Sequence, residues 1–146
     1  MLRLLQPGAC ALLLTCGGCG LLLDVVNPPI TTVRLVNNSD FDVRVVLFYD
    51  DEQDAPRDLL TEFGVRMELT LAPGETASFT RDCTELQALV IDNAELRIIG
   101  QVGPEADTEV LRDGREFDCR DVITFTFDHS PLLVDFDVGV AVASGS

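Results

Sequence analysis

The chain has 146 residues and a formal net charge of −15, from 10 basic and 25 acidic side chains. So negative a field repels phosphate backbones and anionic headgroups, which argues against binding to nucleic acid. Hydrophobic residues make up 47% of the sequence and are mostly β-branched, aromatic or leucine, which argues against intrinsic disorder and favours strands. The first twenty or so residues form an apolar leader, and the remaining length of about 125 residues predicts one domain, which is enough to bury a core.

The leader has the three regions of a secretory signal. Arg3 gives a positive start, residues 4–23 carry no charge, and the small residues Gly17, Gly18 and Gly20 follow the apolar stretch. This segment resembles the signal of bacterial lipoproteins, whose lipobox places a leucine-like residue and two small residues before the cysteine that receives the lipid. The resemblance implies export and attachment to a membrane through an N-terminal lipid.

Two cysteines compete for that lipid. Cys19 directly follows two glycines, as the lipobox requires, but Cys16 occupies its leucine-like position. Cys16 itself has Leu13 in the leucine-like position, but Thr15 precedes it where a smaller residue is usual. We therefore expect lipidation of Cys19, with Cys16 as the alternative. Gly20 is not the aspartate that signals inner-membrane retention in some bacteria, so the resemblance implies the outer membrane, the periplasm or the cell surface.

Two other interpretations of the leader remain open. Residues 4–23 have the length of a transmembrane helix, although Gln6, Pro7 and several glycines dilute their apolar character. Cys16 and Cys19 also have the spacing of a redox or metal-binding pair, which would require a folded scaffold around them. A lipoprotein signal, or a plain secretory one, is the interpretation that we favour.

The sequence divides into three segments. We expect a signal peptide over residues 1–19, a semi-rigid tether over residues 20–32, which includes two prolines, and a β-sandwich over residues 33–143. Alternating apolar residues predict strands over 31–36, 43–49, 66–71, 76–80, 86–91, 95–99, 109–112, 122–128 and 132–138. Residues 58–63 are ambiguous and are compatible with one helical turn. The fold class predicted is all-β, an antiparallel sandwich of about seven to nine strands, immunoglobulin- or fibronectin-like.

Part of this domain is similar to the start of the von Hippel-Lindau β domain. The matching residues are Asn38, Ser39, Val43, Val45, Phe48, Asp50, Glu52, Leu71, Pro73 and Gly74. They mostly encode turns and strands, so the similarity implies a sandwich and transfers no function.

The domain contains one pair of cysteines, Cys83 and Cys119. An even pair in an exported protein predicts a disulfide. Closing such a loop would stabilise the fold by about 3–4 kcal/mol in the chain-entropy treatment. Two buried free thiols, or a metal or catalytic role, are the alternatives.

Residues able to carry catalysis are scarce. His129 is the single histidine, whereas a blue-copper site needs two and a catalytic zinc site commonly two or three. A serine–histidine–aspartate triad would have to use it, and the sequence lacks a Gly-x-Ser-x-Gly elbow. We therefore expect no enzymatic activity and no cofactor.

An acidic loop supplies the one candidate cation site. Its oxygen ligands could suit Ca²⁺, and its members are Asp50, Asp51, Glu52 and Asp54. The loop lacks the register of an EF-hand, so Asp92, or Glu105 with Asp107, would have to complete the site. An exposed charged loop is the alternative.

These observations predict a non-catalytic envelope lipoprotein with a structural or protein-interaction role and an envelope protein as partner. A Ca²⁺-binding or small-ligand-binding sandwich is the alternative, and a hydrolytic enzyme is the second alternative. An exposed apolar patch would favour the protein-interaction role, and converging loop carboxylates would favour Ca²⁺ or ligand binding. A carboxyl group of raised pKa in a pocket would favour a hydrolytic enzyme.

Overall fold

Two β-sheets face each other in the computed structural model, which describes residues 29–99, 103–131 and 135–145. Their strands are β1 (Ile30–Asn37), β2 (Asp42–Asp50), β3 (Val65–Leu71), β4 (Thr76–Asp82), β5 (Ala88–Arg97), β6 (Glu105–Ala106), β7 (Leu111–Arg112), β8 (Val122–His129) and β9 (Phe136–Ala143). One helix, α1, spans Arg57–Phe63. The predicted all-β sandwich is confirmed, whereas the predicted signal peptide and both candidate lipidation cysteines lie outside the described residues.

The first sheet has the order β4-β1-β8-β9, and the second has the order β3-β2-β5-β6 with β7 also paired to β5. All of these pairs are antiparallel except β1 with β8, which run parallel with Thr32 opposite Val122. A parallel pair needs a long connection, and here most of the domain lies between the two strands. The first strand that the structure describes, β1, is therefore a central strand of its sheet.

The main core lies between the two sheets. Val43, Val45 and Leu47 alternate along the inner face of β2, and Phe125 and Phe127 do the same on β8, all without solvent exposure. Period-2 alternation sends successive side chains to opposite faces, so these positions were predictable from the sequence. Burying a side chain of this size contributes about 1.5–3 kcal/mol, so the inner faces hold the sandwich together.

A second, smaller core covers the outer face of the second sheet. Val46 and Phe48 point away from the main core and pack with Val90 beneath Ala55 and Leu60, the latter fully buried in α1. A strand that is covered on both faces reads as a nearly continuous apolar run, which explains the sequence of β2. Residues 58–63, ambiguous in the sequence, form most of the helix that covers this face.

Several strand boundaries differ from the sequence prediction, and β6 was not predicted. β5 is one strand where two were expected, and a bulge at Asp92 explains the break, because Val46 and Leu47 pair with Asn93 and Ile91 and leave Asp92 unmatched. β9 continues to Ala143. β1 begins at residue 30, within the segment that we expected to be tether.

Candidate functional site

A cleft of about 430 Å³ opens where the end of β2, the end of α1 and the turn between β4 and β5 meet. We call it the acidic-aromatic cleft, and its lining residues are Tyr49, Asp50, Asp51, Phe63, Val65 and Glu85. The side chains of Phe63 and Val65 are 72% and 53% exposed, whereas Tyr49 is only 6% exposed. The cleft thus combines solvent-facing apolar groups with three carboxylates.

Gly64 sets the position of the apolar wall. Its N–H donates to the carbonyl oxygen of Leu60 at 3.0 Å and ends α1, so that Phe63 and Val65 flank a sharp corner. A Cβ on Gly64 would lie 2.5 Å from that same oxygen and 3.0 Å from the carbonyl oxygen of Tyr49. Because any larger residue would collide with backbone here, glycine lets the corner press against the end of β2.

A disulfide between Cys83 and Cys119, whose Cα atoms are 5.4 Å apart, anchors the turn that brings Glu85 to the cleft. Glu85 follows Cys83 by two residues in the same turn. Gln87 ties that turn to β2, because its N–H donates to the Asp50 carbonyl oxygen at 2.9 Å and its side chain donates to the Cys83 carbonyl oxygen at 2.5 Å. The covalent link and these hydrogen bonds together fix the distance between the two acidic segments.

Asp82 closes the same turn from its other end. Its Oδ1 accepts hydrogen bonds from the N–H of Thr84 at 3.0 Å and from the Thr84 hydroxyl at 2.8 Å. These bonds hold the pKa of Asp82 below its usual range. The carboxylate therefore stays charged and keeps the turn in one conformation.

Arg81 contacts Tyr49, one of the residues that line the cleft. Its Nε donates to the hydroxyl of Tyr49 at 2.7 Å, and its guanidinium carbon lies 5.3 Å from the centre of the Tyr49 ring and 5.4 Å from that of Phe79. This geometry is a cation–π contact with a hydrogen bond at its edge. The Tyr49 ring is thereby held in place and its hydroxyl group is occupied.

The carboxylates of the cleft have few internal partners. Asp50 Oδ1 accepts the N–H of Glu52 at 3.0 Å. Within the described ranges no arginine lines the cleft, and Asp50, Asp51 and Glu85 form no ion pair. Their negative charge is therefore directed at solvent.

A second acidic cavity, of about 240 Å³, lies beside the bulge of β5. We call it the Arg57 basin; its lining residues are Asp92, Asn93, Glu105, Ala106 and Asp107. Arg57 Nη2 lies 2.8 Å from Asp107 Oδ2 and 3.4 Å from Asp92 Oδ1, while its Nη1 donates to the Thr108 carbonyl oxygen at 2.6 Å. Two of the three carboxylates of this basin, those of Asp92 and Asp107, already form ion pairs with an arginine of the chain itself.

The residues suggested for Ca²⁺ are dispersed. Asp50 and Asp51 line the acidic-aromatic cleft, Glu52 is exposed, and Asp54 Oδ1 accepts from Arg115 Nη2 at 2.7 Å. In the part of the chain that the structure describes, no three His, Cys, Asp or Glu side chains are grouped as they would be around a metal ion. Asp92, Glu105 and Asp107, suggested as the completing ligands, all line the basin, where Arg57 forms ion pairs with Asp92 and Asp107.

The single histidine, and the one carboxyl group whose pKa is raised among the described residues, do not line either cavity. His129 is on β8, its side chain is 9% exposed, its Nε2 lies 3.7 Å from Asp40 Oδ2, and its ring contacts the Phe41 ring edge-on. Burial, with a contribution from Asp118, raises the pKa of Asp113. Neither residue is among those described as lining the cleft or the basin.

Of the six residues of the cleft, sequence reasoning named only Asp50 and Asp51 as site candidates and placed Tyr49 in a strand without a functional role. Phe63, Val65 and Glu85 come from a helix end, a strand start and a turn, which no local pattern links. The one available signal was Gly64, a glycine between two large apolar residues directly before an alternating strand.

Comparisons with known proteins give fold-level matches of low score. Neither a protein-family profile nor a curated protein sequence matches the chain. The T6SS lipoprotein TssJ1 from Pseudomonas aeruginosa has a TM-score of 0.45 and 15% identity, over 82% of this chain and 100% of that chain. The membrane-binding domain of pneumolysin has a TM-score of 0.46 and 10% identity, over 79% and 98%. A protein from Eubacterium rectale has a TM-score of 0.44 and 15% identity, over 81% and 92%.

These scores are too low to transfer a site or an activity to this chain. The described residues contain no helix long and apolar enough to cross a membrane.

Proposed function

We propose that this chain is an exported bacterial lipoprotein, held to a membrane by a lipid on Cys19, whose sandwich binds an envelope protein partner at the acidic-aromatic cleft. Cys16 is the alternative site of lipidation. The observation that carries the proposal is the cleft itself, in which exposed Phe63 and Val65 lie beside carboxylates that form no ion pair with any residue the structure describes. Exposed aromatic groups of this kind are typical of binding surfaces.

The disulfide supports the export step. Cys83 and Cys119 are joined across 36 positions of sequence and anchor the turn that brings Glu85 to the cleft. Disulfides of this kind form and persist in oxidising compartments, such as the bacterial periplasm or the cell surface. A leader with lipoprotein-like features and a disulfide in the domain are two independent features that agree on the compartment.

A non-catalytic role is supported by the environment of the titratable groups. His129 is packed beneath Phe41 and Asp40, on a different sheet from the cleft. Asp113, whose pKa is raised chiefly by burial, is close to the backbone of Cys119 and so to the disulfide. An acid–base pair aimed at one reacting atom is what hydrolysis requires, and these two groups do not meet.

Anchoring is tested by expressing the full chain in a lipoprotein-processing bacterium with labelled palmitate. We expect label and membrane association in the wild type and in Cys10→Ala, which serves as the matched control, and loss of both in Cys19→Ala. Loss in Cys16→Ala instead would move the lipid to the alternative cysteine. Intact mass spectrometry before and after reduction then checks the disulfide.

An unlabelled, unprocessed chain with free thiols at Cys83 and Cys119 would contradict export. In that case the cysteine assignments would have to be rebuilt for a cytosolic protein.

A further inference from the structure

We propose that the acidic-aromatic cleft receives an arginine side chain from an exposed segment of the protein partner. This inference rests on the proposed function and specifies the chemistry of its partner. It follows from the charge of the cleft, its apolar wall and a contact that the chain makes with one of its own arginines.

The charge of the cleft selects a cation. Asp50, Asp51 and Glu85 contribute three carboxylates, and no arginine is among the described residues that line the space between them. The rest of the chain adds to this field, since its formal net charge is −15. A concave surface lined by one sign of charge concentrates field lines and attracts the opposite charge. A positively charged group gains more here than on the surface at large.

The apolar wall selects the kind of cation. Phe63 and Val65 are exposed and line the same cleft as Glu85. An arginine can lay its aliphatic stem along such a wall, stack its planar guanidinium on an aromatic ring and still donate to carboxylates in a fork. A lysine ammonium is more strongly hydrated and presents a point charge, so it uses less of this surface.

The chain already makes a comparable contact at Tyr49, one of the residues that line the cleft. The guanidinium carbon of Arg81 lies 5.3 Å from the centre of the Tyr49 ring and 5.4 Å from that of Phe79, and its Nε donates to the Tyr49 hydroxyl. The cleft offers the same two kinds of chemical group, an aromatic ring in Phe63 and oxygen acceptors in the carboxylates. No described arginine lines it. The partner's guanidinium fills that position.

The cleft is also large enough for more than a guanidinium. Its volume of about 430 Å³ falls within the range of small-ligand pockets, roughly 300–1,000 Å³. It can therefore take the whole arginine side chain together with part of the adjoining backbone, which fits a peptide segment rather than a free metal ion.

The test is a titration of the full chain, solubilised in detergent with its disulfide intact, with the blocked peptide acetyl-Gly-Arg-Gly-amide. Two-dimensional NMR is expected to show saturable shifts at Tyr49, Phe63 and Glu85, with a dissociation constant in the millimolar range, as befits one side chain. The peptide with lysine in place of arginine is expected to bind several-fold more weakly, by roughly threefold or more.

Two variants with a matched control separate local from long-range effects. Asp51→Asn with Glu85→Gln is expected to weaken binding by roughly fivefold or more, and Phe63→Ala by about threefold. The control, Asp128→Asn with Asp137→Asn, removes the same charge from the β8–β9 hairpin and is expected to leave the dissociation constant unchanged within about twofold. All five side chains are solvent-exposed, so the variants are expected to fold.

Three results would overturn the inference. Equal weakening by the cleft and control variants would show that only the overall field matters. Equal affinity for the lysine peptide would remove the assignment of a guanidinium, and shifts centred on the Arg57 basin would place binding elsewhere. None of these results depends on lipidation, so failure here leaves the palmitate experiment intact, and failure of that experiment leaves this titration interpretable.

Discussion

The acidic-aromatic cleft and the Arg57 basin are both lined by carboxylates, yet they differ in what faces those carboxylates. In the basin, Arg57 lies between Asp92 and Asp107 and also donates to a backbone carbonyl group. In the cleft, the carboxylates face solvent beside Phe63 and Val65. In the basin an arginine of the chain pairs with two of the carboxylates, whereas no described arginine pairs with the carboxylates of the cleft.

This difference teaches that a count of acidic residues does not identify a site. The chain has 25 acidic side chains, and most of them are solvated or paired internally. What distinguishes the cleft is that carboxylates without a described ion pair lie beside exposed apolar side chains, and an exposed apolar surface of this kind is typical of a binding site. The following predictions test whether the two regions differ in the way that this comparison requires.

The largest effect is expected from removing the disulfide. Cys83→Ser with Cys119→Ser releases a loop of 36 residues, at a cost of about 4 kcal/mol in unfolding free energy by the chain-entropy treatment. Urea denaturation of the oxidised wild type and the double variant measures this change. Hydrogen exchange is expected to accelerate in the turn that carries Glu85 and to stay unchanged around Asp92, which Arg57 fixes independently. Equal acceleration in both regions would contradict a separate support for the cleft.

The next effect is expected from Gly64→Ala, which places a methyl group 2.5 Å from the Leu60 carbonyl oxygen. Relief of that collision must displace the end of α1, at a cost of roughly 1–3 kcal/mol in unfolding free energy. Thermal denaturation measures the loss, and weaker binding of the arginine peptide reports the displaced Phe63. Gly139→Ala is the matched control, because its Cβ would meet Thr126 at an ordinary contact distance of 3.8 Å. A wild-type-like Gly64→Ala protein would show that the corner has room.

A smaller effect is expected in the basin from Arg57→Met. Since Arg57 is partly exposed, the loss of its ion pairs should reduce the unfolding free energy by only about 0.5–1 kcal/mol, and less at high salt. Arg97→Met, whose guanidinium lies 3.8 Å from Glu95, is the control and should change stability less. The variant basin is not expected to bind the arginine peptide, because it has no aromatic wall. Binding there would mean that free carboxylates alone suffice.

The smallest effects concern the pH dependence of two aspartates on either side of the disulfide. The pKa of Asp82 is lowered by its hydrogen bonds from Thr84, so its contribution to stability is present above its unfolded-state value and is lost as the pH falls through its folded pKa. The pKa of Asp113 is raised by burial, so its protonated form favours folding and that contribution is lost as the pH rises through its folded pKa.

Urea midpoints of Asp82→Asn and Asp113→Asn, measured from pH 7 to about pH 3, check both signs. At pH 7 Asp82→Asn should be slightly less stable than the wild type and Asp113→Asn slightly more stable. Both differences should shrink as the solution becomes acidic. Parallel changes of the same sign in the two variants would contradict the opposite environments that the structure gives them.

The parts of the fold that repeat locally were predictable from the sequence. Alternation along residues 43–49 and 122–128 identified the inward faces of β2 and β8, because a strand exposes successive side chains to opposite sides. The sandwich class followed from the spacing of such segments. The helix over residues 57–63 was only suggested, since seven residues are too few to show a clear 3.6-residue period.

The parts that depend on distant contacts were not predictable. Phe48 was assigned no role on the outer face of β2, because only the packing of Leu60 and Val90 against it reveals a second core. Asp50 and Asp51 were singled out for Ca²⁺ on local charge density alone. Their proximity to Phe63 and Glu85 depends on the positions of α1 and the β4–β5 turn in the fold, and no short segment of sequence predicts those positions.

The parallel pairing of β1 with β8 also sets the order in which the domain can fold. β1 is synthesised first, yet half of its backbone partners, from Val122 onward, emerge about ninety residues later. Until then the first sheet can hold little more than the pairing of β1 with β4. The two sheets that enclose the main core can therefore pack fully against each other only after most of the described chain has been made.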